Sequence, residues 1–182
     1  MEIGNRNIRH KVIGTAYEEG AKYLAHRMRT AWQVISRLKE YGFPDEEVNM
    51  AVAALRKDGF IDDEEYAYAY IRNSFKKGRS VGRTKFELEK IGVDEISIDD
   101  ALYRLENQDV EDLGERIVIS EEQRAKEVMG KVLELSGYGS QDIVPDKVYG
   151  KVVRRLASCG YSSSMIFKVA GTLNRDGIRK KE

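Results

Sequence analysis

The sequence predicts an all-α protein in which three tandem three-helix repeats form an elongated array, whose curvature the sequence leaves open. Three observations predict this class. A pattern of leucine, three residues and glycine occurs three times, and apolar residues follow each glycine at helical spacing. The chain also has only two prolines in 182 residues and few clusters of β-branched residues, which argues against a β-rich fold.

The repeated pattern predicts a glycine between two helices in each unit. The three copies occupy residues 38–43, 88–93 and 156–161. Apolar residues follow each glycine by six, ten and thirteen positions: Val48, Val52 and Leu55; Ile98, Leu102 and Leu105; Ile166, Ala170 and Leu173. Those offsets differ by four and three, the spacing of one helical face. Each glycine is therefore predicted to end a helix in the left-handed conformation, and the next residue to fold back onto that helix.

Each unit also has a predicted helix upstream of this pair, and the clearest one lies in the second unit. Acids at residues 62–65 favour a helix start, and Lys76, Lys77 and Gly78 favour its end. Its predicted inward residues are Tyr66, Ala67, Tyr70, Ile71 and Phe75. The equivalent helices are predicted over residues 16–28 and 120–136. Their inward residues are predicted to be Ala21, Leu24, Ala25 and Met28, and Ala125, Val128, Met129, Val132 and Leu135.

These helices divide the chain into four parts. They are a flexible N-terminal segment (1–14), a first repeat (15–58), a second repeat (59–106), and a third repeat with insertions and a C-terminal tail (107–182). The insertions are expected at 107–119 and 137–145. One unit of about 50 residues buries too little surface to be secure alone, so the units are expected to stack.

Composition limits the functional classes. The 31 basic and 31 acidic residues give no net charge, which excludes a generally basic nucleic-acid coat but leaves room for a local patch. A single cysteine excludes an internal disulfide and fits a reducing compartment. No apolar run approaches the roughly 18 residues of a membrane helix, so no membrane association is expected.

The candidate partner-binding residues are mostly cations from one acid-free run at residues 72–85. Tyr68, Arg72 and Lys76 are spaced four apart and share a helical face, predicted to lie opposite the buried stripe. The full set is Tyr68, Arg72, Lys76, Lys77, Arg79, Arg83, Lys85, Arg154 and Arg155. Such a patch fits phosphates or an acidic protein groove. The alternative is a solvated face whose cations pair with local acids such as Glu64 and Glu65.

Two interpretations also fit Trp32. With Arg27, Arg29 and Arg37 nearby, it fits an interface hot spot or, as we favour, a partly buried tryptophan that packs between helices.

Enzymatic and metal sites are not predicted. The chain has no phosphate-binding glycine loop, nucleophile elbow or zinc-protease motif. The acids at 62–65 point in different directions on a helix and lack calcium-loop spacing. We therefore expect no catalytic residue, cofactor or metal ligand.

Residues 23–43 resemble the first repeat of the RecX family, bacterial regulators of the RecA recombinase. Residues 60–72, followed by Lys77-Gly-Arg-Ser, resemble its second repeat, with an aspartate pair, an aromatic-alanine step and a basic helix end. The third unit is similar in layout through residues 154–161, but it departs from the family pattern by its glycine-bearing insertion.

The resemblance implies a cytoplasmic protein that lies in the groove of the RecA–single-stranded DNA filament. It implies inhibition of strand exchange, ATP hydrolysis and co-protease activity, and so a role in homologous recombination, DNA repair and the SOS response. A monomer is expected. The alternative function is direct, weaker binding of single- or double-stranded DNA by a helical module.

Overall fold

Nine α-helices dominate the part of the chain that the computed structural model describes, residues 14–107 and 120–175. They are α1 (Ala16–Leu24), α2 (Ala31–Glu40), α3 (Asp45–Lys57), α4 (Asp63–Lys76), α5 (Val81–Glu89), α6 (Glu95–Asn107), α7 (Glu121–Glu134), α8 (Asp146–Ser158) and α9 (Ser163–Ala170). The predicted all-α class is confirmed. The sequence did not predict one short feature, a parallel pair between β1 (Ile143–Val144) and β2 (Asn174–Arg175).

The helices pack in three groups of three. In the first, α1 and α2 pack on α3; in the second, α4 packs on α5 and α6; in the third, α7 packs on α8 and α9. Each group has its own cluster of buried apolar side chains. This packing is consistent with three-helix repeats, and the groups are called the first, second and third units below.

The three glycine turns have the predicted conformation. Gly42, Gly92 and Gly160 have φ values of 89°, 77° and 86°. In each turn the residue after the glycine donates its N–H to the carbonyl of the leucine that begins the motif, at 3.2 to 3.3 Å. Those three leucines are fully buried, at residues 38, 88 and 156. The repeated pattern therefore marks a helix end of the same geometry in all three units.

Two inward faces differ from the prediction at their C-terminal ends. Helix α1 ends at Leu24, so Ala25 and Met28 lie in the turn that leads to α2 and are exposed. In α7, Leu133 is buried, whereas Leu135 is 89% exposed. Leu135, the C-cap of α7, keeps right-handed helical backbone angles, so its exposure shows where the packed core ends along this helix and not a change in the direction of its side chain.

Several predictions concern residues outside the described ranges. These are the flexible segment 1–14, apart from its last residue, most of the insertion at 107–119, and the tail after residue 175. Within the described ranges, every helix is too short or too polar to cross a lipid bilayer.

A basic cleft at the junction of two helical units

The first and second units meet at the start of α2. The hydroxyl of Thr30, the N-cap of α2, donates to the carbonyl of Ile91 at 2.6 Å. The N–H of Ala31 donates to a carboxylate oxygen of Asp63 at 2.9 Å. The other oxygen of Asp63 accepts from Arg56 at 2.7 Å. Asp63 is the first residue of α4, so one of the acids predicted to start that helix also joins two units.

The second and third units meet in the same way at the start of α5. The hydroxyl of Ser80, the N-cap of α5, donates to the carbonyl of Gly160 at 2.7 Å. The N–H of Val81 donates to a carboxylate oxygen of Glu121, the first residue of α7, at 2.9 Å. A carboxylate at a helix N-terminus also interacts favourably with the helix dipole.

The glycine turns allow this close approach. A Cβ added at Gly92 would overlap the Cβ of Trp32, and one added at Gly160 would overlap the Cβ of Arg83. In the described part of the chain, and apart from the glycine's two chain neighbours, no atom lies within 4 Å of the corresponding point at Gly42. Trp32 is 50% exposed and packs on the Gly92 turn, which agrees with the favoured prediction that it packs between helices.

The structure places Arg79, Arg83 and Lys85 in contacts within the chain. Arg79 and Arg83 both form ion pairs with Glu87, the second at 2.9 Å. Lys85 pairs with Asp99 at 2.5 Å. The alternative prediction was a face whose cations pair with local acids, and these ion pairs agree with it. The acids are Glu87 and Asp99, however, and not Glu64 or Glu65.

Glu87 is the centre of this network. Partial burial acts to raise the pKa of Glu87, but hydrogen bonds from Arg83 and Tyr70 and the charge of Arg79 outweigh it, so the pKa is lowered. Glu87 is therefore held as a carboxylate, and it keeps two of the candidate cations in place. Arg83 also donates to the carbonyl of Ser158 in the third unit.

The predicted orientation of Tyr68 is wrong. Tyr68 is only 4% exposed and belongs to the core of the second unit. Helix α6 packs on α4 and places the guanidinium of Arg104 4.2 Å from the centre of the Tyr68 ring, with Arg72 at 5.8 Å on the same ring. The inward face of α4 is thus wider than its predicted stripe, and Tyr68 is not available as an exposed anchor.

Three of the remaining candidates converge, whereas Arg72 and Arg154 do not join them. Lys76 and Lys77, at the end of α4, line one cleft with Arg155 of α8, although about 80 residues separate them in the sequence. The cleft has a volume of about 340 Å³ and lies between the second and third units. Arg154 is exposed but does not line it, and its guanidinium lies beside Gly150.

Two further cations of this cleft were missed by the sequence analysis. They are Arg124 and Lys131 of α7. With Val128 they are spaced four and three apart, so all three share one face of α7. A search for cations on the predicted inward face of that helix would have found them.

Arg124 forms the inner wall of the cleft. It is 1% exposed, and its guanidinium carbon lies 3.6 Å from the centre of the Phe75 ring. Burial lowers the pKa of Arg124, while the nearby Tyr161 and Glu121 oppose that shift. This cation–π contact joins α4 to α7 across the junction.

Charge is strongly unbalanced around the cleft. Among the described residues, its lining has five cations, Lys76, Lys77, Arg124, Lys131 and Arg155, and one acid, Glu127. The whole chain has no net charge. Positive charge is therefore concentrated at this junction, which favours a partner with negative charge. Among the described residues, no group of histidine, cysteine and acidic side chains could hold a metal ion.

The stability of this junction is expected to fall between pH 10 and 12. The hydroxyl of Tyr161 donates to the carbonyl of Gly78 at 2.9 Å, and burial raises its pKa from 10.0 to about 12, although the charge of Arg124 opposes the shift. In that window the unfolded chain releases a proton that the folded chain retains, so stability decreases as pH rises.

Urea unfolding of the wild type and of Tyr161→Phe at pH 9 and pH 12 tests this prediction. At pH 9 the variant should be less stable by about 1 kcal/mol, because it lacks the hydrogen bond. At pH 12 the deficit should vanish or reverse. A deficit of equal size at both pH values would contradict the prediction, since all other titrating groups are common to both proteins.

Comparison with known proteins agrees with this architecture. Residues 16–55 match a family model described as RecX, first three-helix domain. A crystal structure of a regulatory protein RecX superimposes with a TM-score of 0.62 at 26% identity, over 86% of this chain and 71% of the other. The crystal structure of RecX from Lactobacillus salivarius gives 0.63 at 20% identity, over 87% and 94%, which shows a shared fold.

Curated relatives carry the name regulatory protein RecX. The protein of Geobacillus kaustophilus is 35% identical over 59% of this chain and 43% of its own length. The chain thus spans less than half of this and the other Geobacillus relatives. The protein of Mycolicibacterium smegmatis is 30% identical over 81% of this chain and 73% of its own length. With that identity over most of both proteins, the chain belongs to the RecX family.

Proposed function

We propose that this chain is a regulator that binds the RecA–single-stranded DNA filament and mainly inhibits its recombinase, ATPase and co-protease activities. Membership of the RecX family supports the regulatory role. The observation that carries the mode of action is the basic cleft, where five cations and one acid of the described chain line the junction of two units, although the full sequence has no net charge.

The regulator acts by occupying the groove of the filament. The repeated junctions set the positions of neighbouring units, so the cleft and the surfaces beside it meet a polymeric partner at fixed spacing. Several weak contacts along one polymer add through effective concentration, which gives binding without any single strong site. A bound regulator then obstructs the filament groove and needs no chemistry of its own.

Reversing the exposed charges of the cleft is expected to weaken inhibition. The variant Lys76→Glu/Lys77→Glu/Arg155→Glu changes only exposed side chains at this site. The concentration for half-maximal inhibition of RecA ATPase on single-stranded DNA should rise about ten-fold or more, because three attractive contacts become repulsive. The measurement is an ATPase titration with circular dichroism as the test of folding.

A matched variant controls for total charge. Lys39→Glu/Lys57→Glu/Lys90→Glu changes the net charge equally at exposed positions outside the cleft. It should inhibit within about three-fold of the wild type, since exposed charges far from a contact are weak and screened. Undiminished inhibition by the folded cleft variant, or equal loss in the control, would reject the cleft as the binding site.

A further inference from the structure

We infer that the basic cleft holds a protein segment in which carboxylates flank an aliphatic side chain, and not a nucleic acid. The inference rests on the proposed function, because it names the chemistry of the partner at the same cleft. Two features of the lining carry it: an aliphatic floor on α7 and cations of both units that line the same cleft.

The floor is a strip of aliphatic side chains. Val128, Val132 and Leu135 are spaced four and three apart along the end of α7, and all three line the cleft. Val128 is buried, Val132 is half-buried and Leu135 is 89% exposed. An exposed leucine that continues a buried strip is a surface where an apolar side chain of a partner gains by leaving water.

Cations from both units line the cleft together with this strip. Lys76 and Lys77 belong to the second unit, whereas Lys131 and Arg155 belong to the third, and all four are exposed. Carboxylates placed before and after an apolar side chain would meet cations from both units. Charge and apolar surface together therefore match an acidic segment with an aliphatic anchor.

Nucleic acid fits this lining less well. Single strands bind proteins mainly through cations that follow the backbone and exposed aromatic faces that stack on bases. The aromatic ring in the lining, Phe75, is 5% exposed, and Arg124 covers its face. The aliphatic strip offers neither a stacking face nor a phosphate contact.

Fluorescence anisotropy with three labelled probes tests the inference on the full chain. The first probe is a short peptide of aspartates and glutamates around two leucines, the second has both leucines replaced by serine, and the third is a thymidine oligonucleotide of similar length. The wild type should prefer the leucine peptide to the serine peptide by about ten-fold, the effect of burying one aliphatic side chain.

Two variants and a control locate the contact. Leu135→Ser should abolish the preference for the leucine peptide, and it changes a side chain that makes little contact within the fold. Lys131→Ala should weaken the binding of both peptides by a similar factor. Ile96→Ser, at another exposed aliphatic residue outside the cleft, should change neither.

Three outcomes would overturn the inference. They are equal affinity for both peptides or no binding of either, a leucine preference that survives in Leu135→Ser, and tighter binding of the oligonucleotide that depends on Lys131 and not on Leu135. The last outcome would assign the cleft to nucleic acid.

The RecA ATPase assay separates this inference from the proposed function. Leucine-selective peptide binding by a protein that leaves RecA ATPase unchanged would reject the proposed function and keep the inference. Inhibition of RecA ATPase that depends on the cleft, together with equal affinity for both peptides, would reject the inference and keep the proposed function.

Discussion

Replacing Gly160 by alanine is expected to lower the free energy of unfolding by about 3 kcal/mol, whereas the same change at Gly42 should lower it by about 1 kcal/mol. Both glycines have similar positive φ values, 86° and 89°, so the strain of a left-handed alanine is common to both. Only at Gly160 would the new methyl group overlap a neighbouring unit, at Arg83 and Ser80.

Urea unfolding of the two variants measures this difference. The pair isolates the junction, because helix-end geometry is the same and only the surroundings differ. Gly92→Ala, which would overlap Trp32, should behave like the Gly160 variant. Equal losses at all three glycines would show that the close contacts between units do not contribute to stability.

Leu133→Ala is expected to cost about 3 kcal/mol of stability, whereas Leu135→Ala should change it by less than about 0.5 kcal/mol. Leu133 is 1% exposed in the core of the third unit, and its truncation leaves a cavity among packed side chains. Leu135, only two residues later, is 89% exposed at the C-cap of α7.

Thermal and urea unfolding of both variants test the placement of α7. The sequence analysis predicted Leu135 on the inward face, so the two leucines distinguish that prediction from the structure. A large loss for Leu135→Ala, with little change for Leu133→Ala, would mean that the end of α7 is rotated about its axis, with Leu135 in the core and Leu133 exposed.

Periodicity predicted the helices and their ends well, since both depend on neighbours in sequence. The leucine-to-glycine spacing determines a local turn, and the N–H of the residue after each glycine bonds back within five residues. The prediction of which residues lie on the buried face of a helix was less accurate near helix ends and where two other helices pack on the same helix. Tyr68 is the clearest case, because its burial depends on α6, and on Arg104 in particular.

The cleft was predicted only in pieces. Lys76, Lys77 and Arg155 were identified as separate cations, and only the stacking of the second unit on the third brings them together. Arg124 was missed because a buried arginine on an inward face is unusual, and the ring of Phe75 that covers it belongs to another unit. Arg79 and Arg83 were predicted to be partner-binding residues in the same way, but the structure shows that both form ion pairs with Glu87.

The contacts between units have a direction along the chain. Each contact needs a hydroxyl at the start of a second helix and a carboxylate at the start of the following unit. Helix α8 is preceded by Pro145, which has no hydroxyl, and α1 begins with Ala16, which has no carboxylate. Among the described residues, a contact of this kind between the third unit of one copy and the first unit of another would therefore lack both side-chain hydrogen bonds that join the units within the chain.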